Sequence, residues 1–387
     1  MDLFAKCTNT NVTKIREAGI YPYFHKLESR QDVEVIMEGK RRIMLGSNNY
    51  LGLTTNPRVI EAGIKALERY GSGCSGSRFL NGTLSMHLEL EEELAAFLGK
   101  EAVMTFSTGF QSNLGILSAI AGREDYILCD RENHASIYDG CKLSYADMVR
   151  YRHNDMEDLE KKLSNVPDKA GRLIVTDGVF SMDGIIAPLK EICDLADKYE
   201  ALVMVDDSHA VGVLGETGAG SVEDCGVTGR VDIITGTFGK ALGGASGGYV
   251  AARQEIVDIL RQKARPYLFS NAVPPPVAAA SIKAIELVKT RPELRAQLNA
   301  NAKRFREGMA KLGFDLVPGH HPIVPVMLGD AVVAVKMSEN LYKNGVYATA
   351  FFYPVVPMGK ARIRTQMSAA HTAEDIDFAI DAFAKSR

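Results

Sequence analysis

The chain has 387 residues, 46% of them hydrophobic and 24% charged, with a formal net charge of −3. That length supports a large core and more than one domain, and neither the charge balance nor any polybasic block asks for nucleic acid. No apolar run approaches the ~20 residues of a membrane helix, so no transmembrane segment is expected.

The opening Met1-Asp2-Leu3-Phe4-Ala5-Lys6 lacks the basic head and apolar core of a secretory signal. Cys7, Cys74, Cys129, Cys141, Cys193 and Cys225 are scattered, with no CxxC pair. They read as reduced thiols in a cytoplasmic protein, and their spacing suggests no metal site.

Short β-rich runs alternate with amphipathic helical runs, the pattern of an α/β architecture with a mostly parallel sheet. Met86, Leu90, Leu94, Phe97 and Leu98 fall on one helical face, stopped by Gly99. Ala102 to Phe106 follows as a strand, and a helix is expected to start near Asn113. Met156, Leu159 and Leu163 mark another helix, opened by Asn154 or Asp155. Leu173 to Thr176, Leu202 to Val205 and Val231 to Thr235 read as strands; the first two end at Asp177 and at Asp206-Asp207. From Asn271-Ala272-Val273-Pro274-Pro275-Pro276 the pattern changes to a long helical region. Pro292 starts a helix that Gly313 ends. Ile323 to Leu328 and Ala361 to Thr365 read as strands of a smaller C-terminal α+β domain. The expected divisions are an N-terminal segment 1–55, a large domain 56–275 and a small domain 276–387.

Ligands of open α/β sheets bind at the carboxyl ends of strands, and three such ends carry polar groups. Asp206 ends one strand, where a carboxylate can pair with a protonated pyridine nitrogen and make that ring an electron sink. Taken alone it is equally a helix cap or a surface acid. Thr237-Phe238-Gly239-Lys240 follows another strand, on a loop containing Gly239, Gly243, Gly244, Gly247 and Gly248. A lysine there can approach a cofactor closely, and desolvation frees its amine for Schiff-base chemistry. The plain alternative is a solvated surface lysine. Ser107-Thr108-Gly109-Phe110 lies between a strand and a helix, where backbone N–H groups suit a phosphate. It lacks the GxxxxGK[ST] and GxGxxG patterns, so by itself it is an ordinary turn.

Five motifs then occur in order: Ser47-Asn48-Asn49-Tyr50-Leu51-Gly52-Leu53, Asn133-His134-Ala135-Ser136, Asp206-Asp207-Ser208-His209, Gly236-Thr237-Phe238-Gly239-Lys240 and Arg362-Ile363-Arg364. Together they resemble the α-oxoamine synthase family, on the fold-type I pyridoxal-phosphate transferase scaffold, over nearly the whole chain. The resemblance implies an enzyme with pyridoxal 5′-phosphate covalently on Lys240, which also moves the substrate α-proton. It implies that Asp206 pairs with the ring nitrogen, that His134 stacks on the ring, and that His209 and Ser181 bond near its hydroxyl. Thr108, Gly109, Phe110 and Thr237 hold the cofactor, chiefly at its phosphate, and Asn48 and Arg364 grip the substrate carboxylate. Ser270 or Asn271 resembles the segment that reaches a neighbouring subunit's phosphate, which implies a homodimer with shared active sites.

Two branches of that family share the likeness. From about Asp177 onward, and above all at Arg362 to Thr372, the chain resembles the branch that joins glycine to acetyl-CoA. Gly73 to Thr83 and Phe106 to Asn113 resemble the serine palmitoyltransferase branch, from which Gly239 departs. The expected activity is acyl transfer between acyl-CoA and an amino acid, with glycine and acetyl-CoA favoured because the C-terminal match includes Arg364. Decarboxylative condensation of serine with a long-chain acyl-CoA is the alternative. A non-catalytic partner subunit conflicts with Lys240, Asp206 and His134, and a nicotinamide oxidoreductase conflicts with the missing GxGxxG turn.

Overall fold

A computed structural model of the chain describes residues 2–8, 11–17, 21 and 23–387. Parts of the expected N-terminal segment (residues 1, 9, 10, 18–20 and 22) lie outside the described residues. The chain divides into two compact units, one of Met1–Ser47, Met182–Gly184 and Leu298–Arg387, the other of Asn48–Ser181 and Ile185–Gln297.

The second unit is built on a seven-stranded sheet. Its order is Ala102–Phe106, Gly248–Ala252, Ile233–Thr237, Leu202–Asp206, Gly171–Asp177, Asp125–Asp130 and Asp147–Tyr151. Gly248–Ala252 runs antiparallel to both of its neighbours, and every other pairing is parallel. A mostly parallel sheet is covered on both faces, so its strands read as continuous apolar runs. Accordingly Leu173, Ile174, Val175, Val203, Met204 and Val205 are all buried. Helices Gly109–Ile120 and Gln254–Lys263 bury Ile116, Leu117, Val257 and Leu260 in the same cluster as Met104, Val175 and Met204.

Local signals act as elementary chemistry requires. Helix Ser85–Leu98 ends on Gly99 with φ 63°, the left-handed conformation glycine adopts at no steric cost. Of the two expected caps for helix Met156–Leu163, Asp155 accepts from the Asp158 N–H and closes the first turn. One helix start is corrected: it lies at Gly109, not near Asn113, because the Thr108 side chain accepts from the Gln111 N–H and caps the helix four residues earlier.

Among the described residues, the first unit holds two small sheets. One is antiparallel, ordered Ile323–Gly329, Ala361–Gln366, Thr349–Phe351. The other pairs the hairpin Glu34–Met37 and Lys40–Met44 with Val346–Tyr347. Helix Ala373–Lys385 opens with a capping box between Thr372 and Asp375.

The divisions expected after residues 55 and 275 both fall inside the second unit, of Asn48–Ser181 and Ile185–Gln297. Pro274-Pro275-Pro276 looks like a break, yet Pro275 sits in the first turn of helix Pro275–Thr290, where its missing N–H costs nothing. That helix packs on Pro57–Tyr70 and Ser85–Leu98 and buries Ala278, Ala284, Leu287 and Val288. Among the described residues, no helix is long and apolar enough to cross a membrane.

Candidate active site

Parallel strands deliver their last residues to one edge, and Asp177, Asp206 and Thr235 are register neighbours there. Above that edge is a cavity of about 230 Å³ whose lining includes Thr108, Gly109, Phe110, His134, Ser181, Asp206, His209, Thr237 and Lys240. Ser136, Asp177, Val179 and Ser208 complete it. The groups expected from three separate strand ends therefore converge on one space. Asp206 is only 6% exposed and so is not a surface acid, and Lys240 is half-buried in the cavity wall.

The floor is Asp206. Its Oδ1 accepts from the Ser208 N–H at 3.0 Å, and its Oδ2 accepts from Asn113 Nδ2 at 2.6 Å. His134 forms a wall, with its Nδ1 2.7 Å from Ser136 Oγ and its backbone N–H donating to Asp177 Oδ2 at 3.0 Å. Phe110 meets the His134 ring edge-on, at a centroid distance of 6.2 Å. His209 Nδ1 lies 2.8 Å from the hydroxyl of the fully buried Tyr50.

One end of the cavity is made of main chain. The helix beginning at Gly109 presents first-turn N–H groups that have no intrahelical partner, together with the positive end of its dipole. Thr237 Oγ1 donates to the Gly247 carbonyl at 2.9 Å and accepts from the Gly239 N–H at 3.0 Å, which shapes the opposite lip. The packing is tight: a Cβ placed on Gly248 would lie 2.5 Å from the Gly109 N and Cα. Only glycine lets that strand and that helix start approach so closely.

Two further buried carboxylates, Asp177 and Asp207, stand beside Asp206, and burial raises both. Asp177 is pushed well above the usual carboxylate range by burial and by Asp206 beside it, with the His134 N–H and Lys240 pulling the other way. Asp207 is pushed up to about 7, chiefly by burial, against hydrogen bonds from Ser221. His134 is held below the usual histidine value, first by burial and then by Lys240, against the attraction of Asp206. The imidazole is therefore a neutral wall at pH 7.

This donor set fits a phosphorylated pyridine carrying an aldehyde. It offers an amine for imine formation, a carboxylate for a protonated ring nitrogen, a flat uncharged ring for stacking, and an N–H cup for a dianion. Asn48, Ser270 and Asn271 belong to the same unit without lining the cavity. Ser270 Oγ accepts from Gln111 Nε2 at 3.3 Å, and the Asn271 carbonyl accepts from the Ser107 hydroxyl. Arg364 lies in the other unit, in strand Ala361–Gln366, opposite Pro325 and Thr349. Sequence reasoning assigns no role to Tyr50, Asn113, Ser136 or Asp177. The first three stand inside motifs already singled out, and Asp177 ends a parallel strand just as Asp206 does.

The family model for aminotransferase class I and II matches residues 40–383. The chain belongs to that family. Within it, the 2-amino-3-ketobutyrate coenzyme A ligase of Escherichia coli (strain K12) is 52% identical over 99% of this chain and 97% of that protein. The serine palmitoyltransferase of Sphingobacterium spiritivorum is 45% identical, over 96% of this chain and 92% of that protein. A solved serine palmitoyltransferase structure with a PLP internal aldimine superposes with a TM-score of 0.96 at 38% identity, covering 100% of this chain and 98% of that one. The α-oxoamine synthase membership and the α/β transferase fold expected from the motifs both hold.

Proposed function

We propose that the protein is a pyridoxal-phosphate-dependent acyltransferase that interconverts glycine plus acetyl-CoA with 2-amino-3-ketobutyrate plus CoA. One observation carries the choice of substrates: the near-complete match to the E. coli ligase, stronger than the match to the Sphingobacterium palmitoyltransferase.

When bound, pyridoxal phosphate supplies an electron sink for the pair left on an amino-acid α-carbon. The protein's residues do the rest. Lys240 Nζ would hold the cofactor covalently in the resting protein, and as the free amine, once the amino group of glycine has displaced it, would take the α-proton. Asp206, on its two in-protein donors, accepts from the protonated ring nitrogen. His134 covers one ring face without adding charge, and His209 and Ser181 hold the ring hydroxyl. Thr108, Gly109, Phe110 and Thr237 anchor the phosphate. Ser270 or Asn271 reaches the phosphate of a second copy, so the working form is a homodimer with shared sites. A cytoplasmic location accords with six cysteines that are all free thiols.

The test is a matrix of glycine, serine and alanine against acetyl-CoA and palmitoyl-CoA, with CoA release measured. Glycine with acetyl-CoA is expected to give the highest kcat/KM. One small group in a pocket changes discrimination by only ~1–3 kcal/mol. A clear preference for serine with palmitoyl-CoA would therefore move the protein to the other branch and leave its family intact. Light scattering that gives a monomer under assay conditions would remove the shared site.

A further inference from the structure

We propose that Asn113 is a positioning residue whose single side-chain amide ties the Asp206 carboxylate to the His134 imidazole, a role that rests on reading this cavity as the pyridoxal phosphate site. Asn113 lies one turn into the helix whose first residues form the phosphate cup, and it is 1% exposed. Its Nδ2 has two protons and two acceptors, Asp206 Oδ2 at 2.6 Å and Ser136 Oγ at 2.8 Å. Its Oδ1 accepts from the Thr235 hydroxyl at 2.8 Å. The opposite amide orientation would set an oxygen against the carboxylate, acceptor against acceptor, in a buried site. The orientation is therefore determined by chemistry.

The remaining protons follow from that assignment. Ser136 Oγ, while accepting from Asn113, keeps its own proton for His134 Nδ1 at 2.7 Å. The Ser136 backbone N–H also donates to Nδ1, at 3.3 Å. Two donors on Nδ1 leave the ring proton on Nε2, so His134 is the neutral Nε2–H tautomer. On the other branch, Asn113 and the Ser208 N–H each hold one oxygen of Asp206, which stops the carboxylate from rotating. One buried amide thus sets both the floor and, through Ser136, the wall of the cavity. An amide that merely filled a polar gap in the core would affect stability and nothing else.

The experiment is a double-mutant cycle on cofactor affinity, read by titrating apoenzyme with pyridoxal phosphate. A hydrogen bond to a charged group contributes ~1.5–3 kcal/mol, so Asn113→Leu is expected to weaken binding about tenfold or more. Asn113 acts through Asp206, so adding Asn113→Leu to Asp206→Asn should cost far less than that, because contacting residues in one network are not additive. Thr235→Val leaves the amide in place but removes the donor that orients it. It should give a smaller loss with the same coupling to Asp206, and it serves if Asn113→Leu does not fold. Nitrogen-15 spectra of histidine-labelled apoenzyme, with His134 assigned by a His134→Gln variant, should show the Nε2–H tautomer. Losses that simply multiply in the double variant, or an Nδ1–H tautomer at His134, overturn the proposal. If the unmodified protein does not bind pyridoxal phosphate at all, the reading of the site falls first and takes this one with it, a result distinct from either.

Discussion

Replacing Gly248 with alanine tests whether close backbone packing aligns the helix start at Gly109 that lines the cavity. The added Cβ would fall 2.5 Å from the N and Cα of Gly109 and 2.6 Å from Ser112 Oγ. Carbon atoms rest about 3.5–4.0 Å apart, so strand and helix start must separate by roughly 1 Å. Gly109 meets the new methyl with main chain, which has no rotamer to escape into. Overpacking of this kind costs ~1–3 kcal/mol. The reduced freedom of the unfolded chain offsets only ~0.4–1 kcal/mol of that. The part displaced is the helix start whose N–H groups line the cavity, and a 1 Å misplacement of a binding group can cost ~100-fold.

Folded Gly248→Ala protein should therefore unfold at lower urea and bind pyridoxal phosphate at least about tenfold more weakly, a loss of ~1.4 kcal/mol. Gly73→Ala is the control, since nothing lies within 4 Å of its Cβ, and it should change neither quantity. Unaltered stability and affinity in Gly248→Ala, or an equal loss in Gly73→Ala, would refute the packing argument.

Three further outcomes are expected. Lys240→Ala should lose the visible absorbance of covalently held cofactor and orders of magnitude of turnover; borohydride trapping on a different lysine would remove Lys240 from its role. Asp206→Asn should retain weak cofactor binding and slow exchange of the glycine α-proton with solvent, because an amide cannot hold a ring nitrogen protonated as a carboxylate does; an unchanged exchange rate means that Asp206 is not the ring partner. Asp207 carries a pH signature. Its folded-state value of about 7 lies above the ordinary 3.8, so between those values the folded protein keeps a proton that the unfolded chain releases, and stability falls as pH rises. Below that window both states are protonated and the contribution is fully present; above it both are ionised and the loss is complete. Urea midpoints of Asp207→Asn measured across the window should fall less steeply than those of the unmodified protein; an identical slope would show that Asp207 does not set it.

Much of the site is legible in the residue order, for a reason tied to the sheet. A parallel strand covered on both faces is a run of apolar residues, and its first polar residue marks the carboxyl edge where ligands bind. Asp206 after Leu202 to Val205, and Lys240 just beyond the strand that ends at Thr237, are legible in that way. Local chemistry places the Gly99 stop and the Asp155 cap. The start at Gly109 is harder to read, because glycine is a poor helix former and the Thr108 cap that compensates for it sits in what looks like an ordinary turn. Pro275 likewise looks like a boundary although proline is at home in a first turn.

Short-range order along the chain suffices for the alternation of elements, the succession of motifs and the chemical kinds of group available: an amine, carboxylates, imidazoles and a glycine-rich turn. Those follow from neighbouring residues, whose periodicity and caps act over a few positions. Which of the groups meet is set by the folded chain alone. The amide of Asn113 reaches Ser136, Asp206 and Thr235, which are 23, 93 and 122 positions away in the chain. The Glu34–Met37 and Lys40–Met44 hairpin joins Val346–Tyr347 in one sheet. Contacts of that range depend on strand order and packing, and residue spacing along the chain does not encode either.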